Sequence, residues 1–326
     1  METAVALTDS QSQLAAAVAA AKDLLARGEV VALPTETVYG LAADATRPDA
    51  VVKIFEAKER PFFDPLIVHL PEMDWLDRIT KIPAESRALV DALITRFWPG
   101  PLTLVLPRQP LVPDLVTAGL ETVAVRMSAH PVFRAVIENF GKPLAAPSAN
   151  RFGRISPTAA AHVVTELGGR IPLVVDGGPT THGLESTIVA VEGATVRLLR
   201  SGPITAEQFS IFNFHSSISA SARVEAPGQL ASHYAPRTPL LIGRPGETVI
   251  SAQSCGLLAF RAAAGIFAAT EVLSPSGDLR EAAATLFAKL RRLDEAGLDL
   301  ILAEPVPEKG LGVAIMDRLR KAAAPR

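Results

Sequence analysis

Cysteine is almost missing from the 326-residue chain; Cys255 is the only one. That excludes an intrachain disulfide and any cysteine-based metal cluster, and it points to a reducing cytoplasm. Tryptophan and tyrosine are scarce, two of each, which leaves few platforms for stacking single-stranded nucleic acid. Net charge is only −2, with an isoelectric point near 6.3. No global field therefore favours a polyanion. Hydrophobic residues make up 48% and mean hydropathy is +0.27. Much of that is alanine, and no apolar run approaches the roughly 18–20 residues that span a bilayer. Glu2 and Asp9 stand where a secretory leader would be basic, so no such leader is expected. The sequence also lacks GxxxxGKS/T, HExxH, GxSxG and paired cysteines. With no activated nucleophile in evidence, covalent catalysis is not expected.

What is present is an alternation of apolar runs and helical periodicity. Leu14, Val18, Ala21 and Leu25 predict a helix over Gln13–Arg27, capped by Asp9 or Ser10 and closed by Gly28. Val30–Leu33 reads as a buried strand stopped by Pro34. Thr35, Glu36 and Thr37 then fall at its carboxyl end, where α/β sheets hold ligands. Thr46 and Pro48 open a second helix, with Lys58 and Arg60 at its exit. Those cations either answer the helix dipole, worth about 0.3–1 kcal/mol, or hold a polyphosphate. Pro65–Leu70 is strand-like and carries His69, which is either a hydrogen-bonded core residue or a ligand contact. A helix over Ala84–Phe97 is broken by Trp98-Pro-Gly-Pro. Strands follow at Leu102–Leu106 and Thr122–Arg126. Arg126 needs an anionic partner, a protein carboxylate or one gripped bidentately on a substrate.

Val132–Phe140 is helical up to Gly141, and Ser148-Ala-Asn150 lies at a strand end, where small polar residues also make ordinary turns. Ser156-Pro-Thr is expected to cap the next helix and offer free N–H groups to an anion. Ile171–Val175 is a strand. Ser186–Val191 and Thr195–Leu199 form a hairpin that ends at Arg200. From Thr205 the sequence turns serine-rich and weakly periodic, the signature of a linker. Beyond it, strands at Pro239–Ile242, Gly256–Phe260 and Leu298–Ala303 alternate with helices, which predicts a small parallel-sheet domain. Four cations (Lys58, Arg60, Arg126, Arg200), five hydroxyls (Thr35, Thr122, Ser148, Ser156, Ser186) and Asn150 thus lie near strand ends or loops. That set suits anionic substrates aligned for reaction, with catalysis by positioning and charge neutralisation.

Taken together, GEVVALPTETVYGLAADA, KERP, PLIVH, WPGPLTLVL, TVAVRMS, PSANRFGRISPT and ESTIV with LLRSG resemble the YrdC-type threonylcarbamoyl-AMP synthases. PGQLASHYAPRTP and EKGLGVAIMDRL resemble the long form of that family. The resemblance implies a large YrdC-like α/β twisted-sheet domain (1–205), a linker or lid (206–236) and a smaller Rossmann-like α/β domain (237–326). It implies ATP, L-threonine and bicarbonate or CO2 as substrates, with Mg2+ carried by the ATP phosphates rather than by protein ligands. It further implies a downstream tRNA threonylcarbamoyl transferase as the consumer of the product. By motif position, Lys58 and Arg60 are the expected catalytic cations. Lys58, Arg60, Phe62, Thr122, Ser148, Asn150, Ser156, Arg200 and Tyr234 are expected around ATP. Thr35, His69, Arg126, Ala146 and Ser186 are expected around threonine, with Arg126 on its carboxylate. Tyr234 would be part of the lid, or simply pack between domains. Phe62-Phe63 departs from the polar residues common after KxRP. Two other classes stay open: a double-stranded RNA-binding module, disfavoured by charge, and a carbamoyl transferase, whose zinc-finger version a single cysteine excludes.

Overall fold

Proline and glycine bound most of the elements and keep the strands short. The structure, a computed structural model, describes all residues except 1, 213, 216–223, 249–251, 253, 263–264 and 326. The serine-rich middle of the expected linker therefore lies outside the described residues. The first sheet comprises β1 (Ala4–Leu7), β2 (Val31–Leu33), β3 (Gly40–Asp44), β4 (Ile67–His69), β5 (Leu102–Pro107), β6 (Thr122–Arg126), β7 (Leu144–Ala145), β8 (Leu173–Asp176), β9 (Thr187–Glu192), β10 (Thr195–Arg200) and β11 (Phe214–His215). Their order is β1-β8-β2-β3-β7-β4-β6-β5-β9-β10-β11. Directions are mixed: β4 runs parallel to β6, while β5 is antiparallel to β6 and β7 antiparallel to β4.

Helices cover this sheet on both sides, because successive strand residues point to opposite faces. Val31 and Leu33 of β2 pack under α1 (Gln11–Ala26) and α6 (Pro131–Phe140) with Val18, Leu25 and Phe133. Ala32 joins the other cluster, with Val51, Ile54 and Phe55 of α2 (Pro48–Lys58) and residues of α3 (Trp75–Ile79) and α4 (Ala84–Phe97). Ser10 caps α1 through a reciprocal capping box with Gln13, and Gly28 takes a φ of +74° just past its end. Ser156 departs from expectation. Beyond the short α5 (Asp114–Thr117) and α6, the next helix, α7 (Ala160–Leu167), has Ala159 at its N-cap. The Ser156 hydroxyl is instead donated to the Glu185 carboxylate.

The second sheet has four strands, β12 (Leu240–Ile242), β13 (Cys255–Ala259), β14 (Ala269–Val272) and β15 (Leu300–Ala303), in the order β12-β15-β13-β14 and all parallel. Helices α8 (Leu279–Asp294) and α9 (Leu311–Ala323) supply Leu286, Phe287, Leu290, Ile315 and Leu319 to its core. That core does not stop at the domain edge. Val38, Ile155 and Leu184 of the first body belong to the same apolar cluster. Among the described residues no helix is long and apolar enough to cross a membrane.

Candidate functional site

In the parallel pair β4–β6, Ile67 lies opposite Ala124 and His69 opposite Arg126. Alternate residues share a face, so Thr122, Ala124 and Arg126 point the same way. The face continues across β5 through Thr103, which is opposite Arg126, and Val105. A cavity opens on it. Of the residues put forward from sequence, Thr35, Arg60, His69, Arg126, Ala146, Ser148, Ser186, Arg200 and Tyr234 line it. Much of its wall comes from the carboxyl ends of strands, as the strand pattern suggested: Thr35 and Thr37 follow β2, His69 and Arg126 close β4 and β6, Ala146 and Ser148 follow β7, and Arg200 closes β10.

One end of the cavity is built around Arg126. Its Nε donates to the Gly100 carbonyl at 3.2 Å and its Nη1 to the Thr37 hydroxyl at 3.0 Å. Nη2 lies 2.7 Å from the Glu36 carboxylate, yet makes no aligned hydrogen bond. Ser128 donates to the other Glu36 oxygen at 2.5 Å. Burial alone would push the Glu36 carboxyl up; Arg126 and Ser128 overrule it and hold it near 2. Thr35 closes the turn after β2, donating to the Val38 carbonyl at 2.6 Å and accepting from the Thr37 N–H at 3.1 Å. His69 is buried against the Phe133 ring, 4.6 Å between centroids. Burial and then the Arg126 charge push it down to about 3, so it is neutral, and its Nδ1 has no hydrogen-bond partner.

The other end carries cations and the chain after β10. Arg60 is paired with Asp64 at 2.9 Å and donates to the Pro65 carbonyl at 2.8 Å. Arg200 donates to the Ser186 carbonyl and hydroxyl, both at 3.0 Å, and to the Pro227 carbonyl at 3.1 Å. It thereby ties the hairpin to the linker. Tyr234 is 1% exposed with a φ of +62°. Its ring stacks on Phe287, and its hydroxyl has no hydrogen-bond partner.

Five of the expected residues do not line the cavity. Lys58 is fully buried and donates to the Ser148 and Asn150 carbonyls at 2.6 and 2.5 Å. Burial, then the neighbouring Arg60, holds its ammonium well below the usual lysine range. Lys58 thus pins the Ser148–Asn150 turn from behind. Asn150 is buried there too, donating to the Arg151 and Arg154 carbonyls. Ser156 is turned to Glu185. Phe62 is 57% exposed, 5.0 Å from the Phe55 ring. Thr122 sits on the cavity face at the far end of β6, roughly 13 Å from Arg126 at about 3.3 Å per residue.

Sequence reading put Glu36 and Thr37 at the ligand end of β2 but gave them no role, and it missed Glu185, Gly228 and His233; all of these but Glu36 line the cavity. Glu36 and Thr37 stood beside Thr35 in PTET, and a buried arginine calls for such a carboxylate. Glu185 opens the quoted ESTIV stretch, but nothing local says which cation it will meet. A larger groove of about 620 Å3 runs between the two bodies past Arg96, Trp98, His182 and Arg280. None of the buried polar atoms without partners belongs to the residues that line it. The first cavity holds several, so it is the stronger candidate.

The family profile for Sua5, YciO and YrdC proteins, described as "Telomere recombination", matches residues 23–202. A second, "Threonylcarbamoyl-AMP synthase, C-terminal domain", matches residues 196–324. The chain is similar to "Threonylcarbamoyl-AMP synthase" of Bacillus subtilis, 45% identical over 99% of this chain and 97% of the relative. It is similar to the protein of that name from Pyrococcus abyssi, 40% identical over 94% of each. Its fold is similar to "P. abyssi Sua5 complexed with L-threonine", with a TM-score of 0.87 and 37% identity over 98% of each chain.

Proposed function

Because the chain belongs to the Sua5/YciO/YrdC family in its long, two-domain form, we propose that it joins L-threonine, bicarbonate or CO2 and ATP into threonylcarbamoyl-AMP and pyrophosphate. It is a transferase that makes an AMP-linked intermediate, the first step towards N6-threonylcarbamoyladenosine in tRNA. In this reading the threonine amine loses a proton and bonds to CO2, giving a carbamate. A carbamate oxygen then attacks the α-phosphorus, and the bond to pyrophosphate breaks. The attacking group belongs to the substrate, so the absence of a protein nucleophile is consistent with the chemistry.

What supports a threonine subsite is the Arg126 end of the cavity. The Arg126 guanidinium lines the cavity while held by Glu36, Thr37 and Gly100, and neutral His69 keeps an unpartnered ring nitrogen. Together they suit a carboxylate beside a small polar group, and Thr35, Ala146 and Ser186 line the same space. Arg60, Ser148, Arg200 and Tyr234 line the other end and suit the phosphates and ribose. Lys58 and Asn150 would act by holding Ser148 in place, and Thr122 would meet the base at the far end of the face. Charge developing on phosphorus and pyrophosphate would be met by Arg60 and Arg200. Mg2+ would arrive on the triphosphate, since Glu36 and Glu185 are each committed to an arginine.

The cavity as it stands is about 50 Å3, room for a few waters at roughly 10–15 Å3 each. A nucleotide therefore requires the segment 227–234 to lift and then close. In this reading residues 1–205 are the catalytic body, on which Phe209 and β11 of the 206–236 connector still pack, the later part of that connector is the lid, and 237–326 is the domain against which the lid rests. The lid would keep water from a hydrolysable adenylate, and the product would pass to a tRNA-modifying transferase in the cytoplasm.

The decisive measurement is pyrophosphate release from ATP by the full chain. Release is expected only when L-threonine and bicarbonate are both present. Release that ignores threonine, or that carbamoyl phosphate sustains in its place, would refute the reading.

A further inference from the structure

The EKGLGVAIMDRL stretch has so far been given no part in the reaction. Arg318, within it, is the largest fully buried side chain of the described residues and lies on α9 of the second domain. We propose that Arg318 is a positioning residue through which the second domain sets the nucleotide half of the cavity, an inference that rests on the function proposed above. Its Nε donates to Glu185 at 2.8 Å and its Nη2 to the Ser201 carbonyl at 3.0 Å. Its guanidinium carbon lies 4.9 Å from the centre of the Tyr234 ring. Glu185 lines the cavity and takes the Ser156 hydroxyl on its other oxygen. One side chain of the second domain thus meets a cavity carboxylate and the lid tyrosine at once.

The rest of α9 acts on the same segment. Lys321, three residues on, donates from Nζ to the Gly228 carbonyl at 2.7 Å, and its own carbonyl accepts from the His233 N–H at 3.2 Å. Tyr234 holds a positive φ that a non-glycine residue rarely keeps without support. Phe287 of α8 and Arg318 of α9 both pack against its ring.

Domain docking alone does not call for this arrangement. A buried ion pair docks two surfaces no better than well-packed apolar side chains do. The interface has a second such pair, Arg291–Glu166 at 2.9 Å, with neither residue in the cavity wall. Glu185 is different because it faces a space meant for phosphates. Unpaired, its carboxylate would repel the nucleotide. Arg318 cancels that charge while leaving Glu185 free to orient Ser156. Burial would push the Glu185 carboxyl up, but Arg318 and then Arg200 hold it down, so it is charged and in need of that partner.

The test uses the full-length chain with four variants: R318M, R318K, R318M/E185Q and R291M. Three quantities are read: the Kd of ATP by titration calorimetry, KM for threonine by pyrophosphate release, and Tm. R318M is expected to weaken ATP by about tenfold or more, the usual scale for stranding a buried charge, with KM for threonine within twofold. Adding E185Q is expected to restore most of the ATP affinity, because the stranded cavity carboxylate is gone and Asp317, the other partner of Arg318, keeps its ion pair with Lys321. R318K, which keeps the charge but not the fork that reaches Glu185 and Ser201 together, is expected to fall between wild type and R318M. R291M is expected to lower Tm without moving the Kd of ATP. If R318M does not fold, R318K and the double variant decide. The proposal is overturned if E185Q fails to rescue, if R318K loses as much as R318M, or if R291M moves ATP affinity as far. A wild type that binds ATP but does not turn over would sink the reaction and leave this proposal to the calorimetry. A wild type that does not bind ATP would sink both.

Discussion

Arg126 and Glu36 are ninety residues apart in sequence and 2.7 Å apart in space, and the consequence is a defined response to acid. The Glu36 carboxyl stands near 2 in the fold against an ordinary 4.5. Its contribution to stability is therefore complete above about 4.5 and is lost as pH falls towards 2. His69 stands near 3 against 6.5. The fold resists its protonation, so stability also falls as pH drops from about 6.5 towards 3. Tm measured against pH is expected to decline first below about 6.5, and then more steeply below 4.5. H69N should shrink the upper part of that decline, which His130, His162, His182 and His233 share because burial holds each of them low as well, and E36Q should shrink the lower part, which Glu185 and Asp317 share. A profile unchanged in E36Q would contradict the pairing. R126K is expected to raise KM for threonine at least about tenfold, because a lysine cannot offer the planar fork, while the Kd of ATP holds. Equal loss of both would refute the division of the cavity. K58M is expected to cost about 2–3 kcal/mol of stability, the scale of losing hydrogen bonds from a charged donor, and to lower turnover with it. Residue types were legible in sequence; partners were not. Nothing local in PTET says which arginine its carboxylate will meet, and nothing in KERP says that Lys58 will face backbone rather than phosphate.

Elements were legible where glycine and proline punctuate them. The helix over Ala84–Phe97 and the strand over Thr122–Arg126 have the bounds that the pattern predicts. β1 was not anticipated, because its four residues gain a role only by pairing with β8 some 170 positions away. Ser156 carried a valid capping pattern, but Glu185, brought close by the tertiary fold, competes for its hydroxyl and wins. Strand direction was equally hidden. One loop at this level is open to a direct test. Gly183 has a φ of +68°, and a methyl group there would meet the Ala283 carbonyl and the Ala284 Cα, each at 2.5 Å. G183A is expected to cost about 2–4 kcal/mol from backbone strain and overpacking combined, read by urea denaturation. It should also weaken ATP, since the helix it displaces carries Phe287 under Tyr234.

At the scale of the molecule, two bodies were readable from the sequence, as was the parallel character of the second sheet. The seam between them was not. Val38, Ile155 and Leu184 read as ordinary core residues of the first body, yet they are buried among Leu286, Phe287 and Ile315 of the second. Deleting 206–326 would uncover them. The shortened chain is expected to melt lower and to lose affinity for ATP, and unchanged affinity would remove the lid from the argument. The shared seam also governs how the whole chain comes apart on heating. Neither half can melt without stripping apolar surface from the other, so a scanning heat-capacity trace should contain one endotherm where two separable lobes would give a pair.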